Sequence, residues 1–556
     1  MDGSKIVSPS FKYSSNTSEY YLTSDSWSSM VVINRENCEV SVDNKNLQGK
    51  IKESYGFLGI FHLKNASYVV SITDVRYVAS INDCLILMIS NVDFLPLTTL
   101  KDPEVDKFTE FIKSNYFYFS YEFDLTAKFQ CKKFMRNTST WESSDTKYFW
   151  NYHLTEAFRN AMANELILPV ISGFVQIEQV QIEGISVDFG IISRRDHRRA
   201  GTRFHTRGVD SEGNAANFVE TEQVLGWNED GKYRLHSYIQ VRGSVPVVWT
   251  QNPNLAWTPP IKITDINSGT KHISELINHY KQLAIINLVD KKGSQLNLGN
   301  SYQQLANEVS ECLYFWFDFH AECRGLKYEN LSNLVDLVKD LLDSYEWDES
   351  IISDFKIINN GNVVKSQSGV FRVNCVDCLD RTNVVQSLFG RYILHKQLAG
   401  IVHKKSSDPL GIFPENLEFC FRNFWTNNAD VLSEVYTGTP AQKTDFTRTG
   451  KRTFKGAVLD LKCGVKRYVI NNFLDGSRKT MVDVFLGKSS PSKIKKSHKY
   501  SNIVTFVFLL IFVYIICHLM ALKVSDGWSY YLMFFINLGI FYKLSPVFGR
   551  KFVESP

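Results

Sequence analysis

The sequence predicts a head made of an N-terminal mainly β domain and an α/β domain with a mixed sheet flanked by helices, followed by a C-terminal transmembrane helical hairpin. Three observations predict it. Short β-branched and aromatic runs fill residues 1–165, strand-like and helix-like stretches succeed one another over 166–487, and two long apolar runs follow residue 500. A chain of 556 residues exceeds one compact core, so two domains with accessory segments are expected. At 44% hydrophobic and 22% charged, it has the material to fill them and is no disordered chain.

In residues 1–165 the runs Tyr68–Ile72, Cys84–Ile89 and Tyr116–Phe123, separated by turn residues, read as strands. In residues 166–487, Leu168–Ile177, Val180–Ile191 and Tyr238–Val241 read as strands, and Ile273–Asn287, Tyr302–Phe319 and Leu331–Tyr345 as helices. A Ser-, Pro- and Lys-bearing linker over 488–502 closes the head. No internal repeat is visible.

Ile503–Leu522 is 20 residues long with His518 as its main polar interruption, which matches the roughly 20 residues needed to cross about 30 Å of hydrocarbon. After the polar break Lys523–Gly527, the run over 528–544 reads either as a second, shorter span or as an interfacial segment; both anchor the chain. Lys488, Lys493, Lys495, Lys496 and Lys499 stand just before the first span, and the positive-inside tendency places the head in the cytosol. The same lysines favour anionic lipid headgroups. Met1–Tyr21 is polar and reads as no signal peptide. Ten scattered cysteines form no disulfide framework, which fits a reducing compartment, and the sequons at Asn16, Asn65, Asn137 and Asn330 would matter only in a lumenal head. A net charge of +4 gives no reason to expect nucleic acid.

The sharpest feature is Arg372-Val-Asn-Cys-Val-Asp-Cys-Leu-Asp-Arg-Thr-Asn383, preceded by the strand-like Gly369–Val373 and followed by the helix-like Val384–Phe389. A strand, a tight loop and a helix N-terminus make an anion site, because loop N–H groups converge on one spot and the helix dipole adds positive potential. Asn374, Val376, Cys378, Leu379, Thr382 and Asn383 would form this loop around Cys375 and Arg381. The field favours the thiolate of Cys375, the nucleophilic form, while the planar fork of Arg381 grips phosphoryl oxygens. The pattern points to phosphate monoester hydrolysis through a cysteinyl-phosphate, with no metal or other cofactor required. Asp377 and Asp380 are the nearest acid/base candidates, Asp377 ahead; either could instead accept loop hydrogen bonds or pair with Arg381. Cys375-x-x-Cys378 also fits a redox pair or half a zinc site, the latter needing ligands such as His320 and Cys323, whose aromatic surroundings read more readily as core.

This twelve-residue run resembles the catalytic motif of the Sac-domain phosphoinositide phosphatases. So do Tyr148-Phe-Trp-Asn-Tyr-His-Leu154, Ser193-Arg-Arg through Thr221-Glu222, Arg242-Gly-Ser-Val-Pro246, Phe317-Asp-Phe-His320 and Lys443-Thr-Asp-Phe-Thr-Arg-Thr-Gly-Lys-Arg452, and the resemblance extends over nearly the whole chain. The resemblance implies an N-terminal Sac-type β domain, a catalytic α/β domain, and removal of phosphate from the inositol ring of membrane lipids. With a C-terminal membrane hairpin, it further implies the endoplasmic reticulum and Golgi members, which act mainly on phosphatidylinositol 4-phosphate and less selectively on the 3-phosphate. The chain ends Phe552-Val-Glu-Ser-Pro556 without a dilysine signal, which leaves reticulum and Golgi both open.

Six arginines lie between Arg194 and Arg207. On charge alone they read as a solvated face or as ion pairs; with the resemblance, Arg194, Arg203 and Arg207 become candidate headgroup contacts, and Lys443 leads a second basic segment with Arg448, Lys451 and Arg452. Two rival functions share the pattern: a catalytically silent phosphoinositide-binding scaffold, from which retention of both Cys375 and Arg381 argues away, and a phosphoprotein phosphatase, from which the anchor argues away.

Overall fold

The computed structural model describes residues 7–494 apart from 45–46, 48, 99–100, 132–139, 325–326, 353–360, 403–407 and 451–452, and beyond them the single positions 516, 553 and 556. Its backbone is a mixed sheet of thirteen strands. The path runs Cys312–Trp316, Gln282–Asn287, Gly369–Asn374, Lys232–Arg242, Val219–Glu229, Ile185–Arg195, Ile171–Ile182, Phe117–Phe119, Cys84–Pro96, Ser67–Ile81 and Phe57–His62, with Asp348–Ile352 and Gly361–Lys365 attached at Lys232–Arg242. A separate antiparallel sheet of five short strands gathers residues 11–54.

Residues 1–165 and 166–487 share the large sheet, because Phe117 and Tyr118 pair with Ser172 and Ile171. Aromatic packing ties them again. Phe485, in the helix Asp475–Phe485, lies 5.3 Å from Phe111, 5.5 Å from Phe117 and 6.2 Å from Phe61, ring centre to ring centre.

Gln282–Asn287 pairs in parallel with both Cys312–Trp316 and Gly369–Asn374, and the latter joins Val241–Arg242 in parallel too. Gln282–Asn287 and Gly369–Asn374 are buried on both faces, hence their near-continuous apolar runs, while Cys312–Trp316 at the sheet's edge is half-exposed. Ala284, Ile286, Phe371 and Val373 pack on one side with residues of the helices Leu331–Tyr345 and Asp380–Gln397; Leu283, Ile285 and Val370 pack on the other with Ser268–Tyr280 and Gly293–Asn307. This doubly covered core places the loop after Asn374 at the carboxyl edge of the sheet, where open α/β sheets form their clefts.

Three expectations are corrected. The helix expected over Ile273–Asn287 ends at Tyr280, Lys281 turns at φ 71°, and a strand follows. The helix expected over Tyr302–Phe319 stops at Asn307, and Cys312–Trp316 is the strand beside it. Within them Leu283–Ile286 and Cys312–Trp316 lack the polar residues that separate a buried strand from a helix by periodicity. The strand expected over Val180–Ile191 is a hairpin, turned at Glu183 (φ 47°) and Gly184 (φ 86°). The spans expected at 503–522 and 528–544 lie outside the described residues apart from Ile516. Among the described residues no helix is long and apolar enough to cross a membrane.

Phe485→Ala removes the ring that joins the two regions and should destabilise the protein by about 3–5 kcal/mol, the usual cost of emptying a buried aromatic site. Urea unfolding followed by tryptophan fluorescence measures it.

Candidate functional site

The strand Gly369–Asn374 ends in a loop over 375–379, and the helix Asp380–Gln397 begins at once. Asn374 is fully buried: its carbonyl accepts the Leu288 N–H at 2.8 Å and its side-chain amide donates to Asn287 at 2.9 Å. Among the described residues the N–H groups of Val376, Asp377, Cys378 and Leu379 meet no acceptor, and the first helical bond runs from Asn383 N–H to Leu379 C=O at 2.8 Å. With Cys378 at φ 54°, the loop presents its donors to one side, as an anion nest does.

Cys375 is 2% exposed. The Arg381 guanidinium interacts electrostatically with it. It also donates to the Leu288 carbonyl at 3.0 Å and to Asp290 Oδ1 at 2.9 Å. Burial works against the charge of Arg381, yet Cys375, Asp290 and Asp377 together raise its pKa above the ordinary value. Cys378 differs from Cys375 in surroundings. Its thiol donates to the Gly243 carbonyl at 2.7 Å, and burial followed by the Cys375 charge pushes it up to about 12, so it stays protonated at neutral pH.

Asp377 is not free to donate a proton, which corrects its place as leading acid. Arg203 Nε and Nη2 reach its two oxygens at 2.9 and 2.7 Å, and Arg207 Nη2 adds a third contact at 2.7 Å. Burial opposes ionisation here, but the charges and hydrogen bonds of the two arginines hold the carboxyl far below the usual carboxylate range. Arg207 also donates to the Val376 carbonyl at 3.0 Å. Arg203 and Arg207 therefore brace the loop from below. Arg194 is corrected too: it is 1% exposed, paired with Glu222 at 2.8 Å and Glu220 at 3.5 Å, and touches no part of the loop.

Asp380 accepts the Gln442 N–H at 2.7 Å and faces Arg467 at 3.7 Å, a tether for the helix start. Lys443, the next residue after Gln442, is half-exposed at φ 63° with its N–H on Asp460 at 3.1 Å. Thr382 and Asn383 are buried, and Asn383 donates to the Trp425 carbonyl at 3.0 Å. Lys451 and Arg452 lie outside the described residues. Among the described residues no three His, Cys, Asp or Glu side chains converge as a metal site would require.

Two groups escaped the sequence reading. Asp290 bridges Arg381 and His320, whose Nδ1 lies 2.9 Å from Asp290 Oδ1. Burial works against Asp290, but the His320 hydrogen bond and the Arg381 charge outweigh it and hold the carboxyl below its ordinary value. His320, read with an aromatic core, stands at the surface with its side chain 45% exposed. The signal was the end of the apolar run Leu283–Val289, which marks a strand terminus beside the loop. The second group is Arg242, 1% exposed, whose three guanidinium nitrogens find no partner among the described residues. Burial brings its pKa down to about 10, opposed by the Cys378 and Cys375 thiols.

A thiol and a guanidinium over a strand–loop–helix cradle define an α/β domain built to hold a phosphate group. A profile of the SacI homology domain matches residues 55–324. The chain is 36% identical to phosphatidylinositol-3-phosphatase SAC1 of Drosophila melanogaster, over 78% of this chain and 74% of the fly protein. It is 33% identical to phosphatidylinositol-3-phosphatase SAC1-A of Danio rerio over 98% and 97% of the two chains, and 34% identical to SAC1 of Saccharomyces cerevisiae over 80% and 74%. The chain belongs to the Sac-domain phosphoinositide phosphatase family, and it is an enzyme of that class.

The Asp377 pairing carries a pH signature. Its folded pKa is depressed, so the stability it contributes is fully present above the unfolded value of about 3.9 and is lost as pH falls further. Asp377→Asn, which leaves Arg207 buried without a counter-charge, should cost about 3 kcal/mol at pH 7. It should also flatten the decline of stability below about pH 4 in acid unfolding by circular dichroism.

Proposed function

We propose that the protein removes the ring phosphate from phosphatidylinositol 4-phosphate, with the 3-phosphate as a second substrate, through a cysteinyl-phosphate on Cys375. The observation that carries this reading is the Arg381 guanidinium, held on Asp290 and the Leu288 carbonyl and favoured in its charged form by the neighbouring Cys375, at the loop over 375–379. The preference for the 4-phosphate rests on the family subgroup that the C-terminal apolar runs resemble. The names of the fly, fish and yeast relatives specify the 3-phosphate, and both lipids belong in the test.

In the first step the Cys375 thiolate attacks phosphorus, the bond from phosphorus to the inositol oxygen breaks, and Arg381 with the loop N–H groups holds the equatorial oxygens. His320, oriented by Asp290, gives its proton to the departing inositol oxygen. In the second step His320 takes a proton from water as the water attacks phosphorus, the phosphorus–sulfur bond breaks, and thiolate and inorganic phosphate result. Asp290 holds donor and guanidinium on one carboxylate. The head works from the cytosolic face of a reticulum or Golgi membrane, anchored through 503–522 and 528–544, and acts on lipid in its own membrane because the linker 488–502 is short.

Full-length protein should release phosphate from dioctanoyl phosphatidylinositol 4-phosphate in the presence of a chelator, and Cys375→Ser should abolish it. His320→Gln should lower kcat/KM, which reports formation of the cysteinyl-phosphate and not its hydrolysis, about 100-fold on this substrate, yet less than fivefold on p-nitrophenyl phosphate, whose leaving group needs no proton. Release that survives Cys375→Ser would falsify the cysteinyl-phosphate route, and equal losses on both substrates would remove His320 from the proton role.

A further inference from the structure

The helix Phe454–Phe473 starts beyond Thr453, whose hydroxyl accepts the Gly456 N–H. One side of it is buried through Gly456, Arg467, Ile470 and Asn471. The other is not. Phe454 is 86% exposed, Val458 51%, Leu461 67% and Val465 52%. The spacing of four, three and four residues puts all four on a single stripe. Trp257, 52% exposed, extends it by stacking on Tyr468 at 5.4 Å, with the ring planes 12° apart. Lys455, Lys462 and Lys466 are exposed and lie about 100° round the helix from the stripe, on one flank.

Scattered exposed hydrophobics need no explanation, but a contiguous stripe does. This one is mounted directly on the phosphate loop. Asp460 accepts the Lys443 N–H at 3.1 Å and its carbonyl takes the Gln442 side chain at 3.1 Å, while Gln442 N–H and Arg467 both engage Asp380, the first residue of the loop helix. Apolar side chains on one face, lysines on its flank and a bulky aromatic beside it are the composition of a helix lying in a bilayer interface, where apolar groups enter the acyl boundary and cations meet anionic headgroups.

We infer that the exposed face of Phe454–Phe473, with Trp257, is the surface by which the catalytic head lies on an anionic lipid bilayer, setting the loop at headgroup level. The inference rests on the reading that the substrate is a membrane phosphoinositide. Its charge is complementary to the membrane that carries such a lipid, and the helix that bears it is bonded through Asp460 to Lys443.

The test uses full-length protein reconstituted in vesicles of phosphatidylcholine and phosphatidylserine that contain long-chain phosphatidylinositol 4-phosphate. The variant Phe454→Ser/Leu461→Ser/Val465→Ser, altered only at exposed positions, should turn over vesicle lipid at least fivefold more slowly while cleaving soluble dioctanoyl substrate within twofold of wild type. Lys455→Gln/Lys462→Gln/Lys466→Gln should lose rate on these vesicles and not on vesicles lacking phosphatidylserine. Brominated phosphatidylcholine should quench the part of the fluorescence that Trp257→Phe removes, a readout independent of turnover. Wild-type vesicle turnover in the serine variant, or a Trp257 signal that brominated lipid leaves unquenched, overturns the inference. So does a concentration-dependent dimer in detergent that the serine variant abolishes, which would assign the face to a second copy. Failure of wild type to cleave the soluble substrate counts instead against the proposed substrate, and the quenching still decides the face.

Discussion

The site depends on one buried strand end. Arg372 and Asn374 fix it: the Arg372 guanidinium donates to His272 at 3.1 Å, to Tyr302 at 3.0 Å and to the Ser244 carbonyl at 2.6 Å, and Asn374 is bonded to residues 287 and 288. A slip of one residue in register would send Phe371 and Val373 to the face that Arg372 and Asn374 occupy. Because both faces are packed, that slip is excluded, and the thiol one residue further on inherits its position from the core rather than from the loop.

Charge is the second constraint. Around the loop Arg203, Arg207, Arg242, Arg372 and Arg381 outnumber the carboxylates that meet them, Asp377 and Asp290. Arg242 pays the desolvation cost of a buried cation with no hydrogen-bond partner for its guanidinium among the described residues. Replacing such a group by a packed apolar one is often neutral or stabilising, so its presence is better explained by the anion the site receives than by the fold. A phosphate monoester, doubly charged when fully ionised, is the counter-charge this arrangement lacks.

Much of this was legible in the sequence. Cys375 and Arg381 announced themselves because the loop needs both within one turn of a helix start, and Leu331–Tyr345 because its apolar residues keep a helical period. Other parts were hidden for physical reasons. A run such as Leu283–Val289 is apolar except for Asn287 because it is buried on both faces, so its period carries no signal and Asp290 beyond it looked like loop. Arg194 and Arg203 stand in one basic cluster, yet one is sealed against Glu220 and Glu222 and the other braces Asp377. Composition sees their charge and not their partners.

Asp380 shows how local chemistry and whole-molecule geometry meet. As the first residue of the loop helix it stands at the positive end of the helix dipole, and its two oxygens hold Gln442 and Arg467. The start of the loop helix and the helix Phe454–Phe473 are therefore tied to each other through Asp380. A loop so braced, with Asp377 clamped by two arginines and Asn374 sealed in the core, has little freedom to seek its substrate. The headgroup must be brought to the loop, and in a rigid head the part that can do so is whatever surface sets its height and tilt on the lipid.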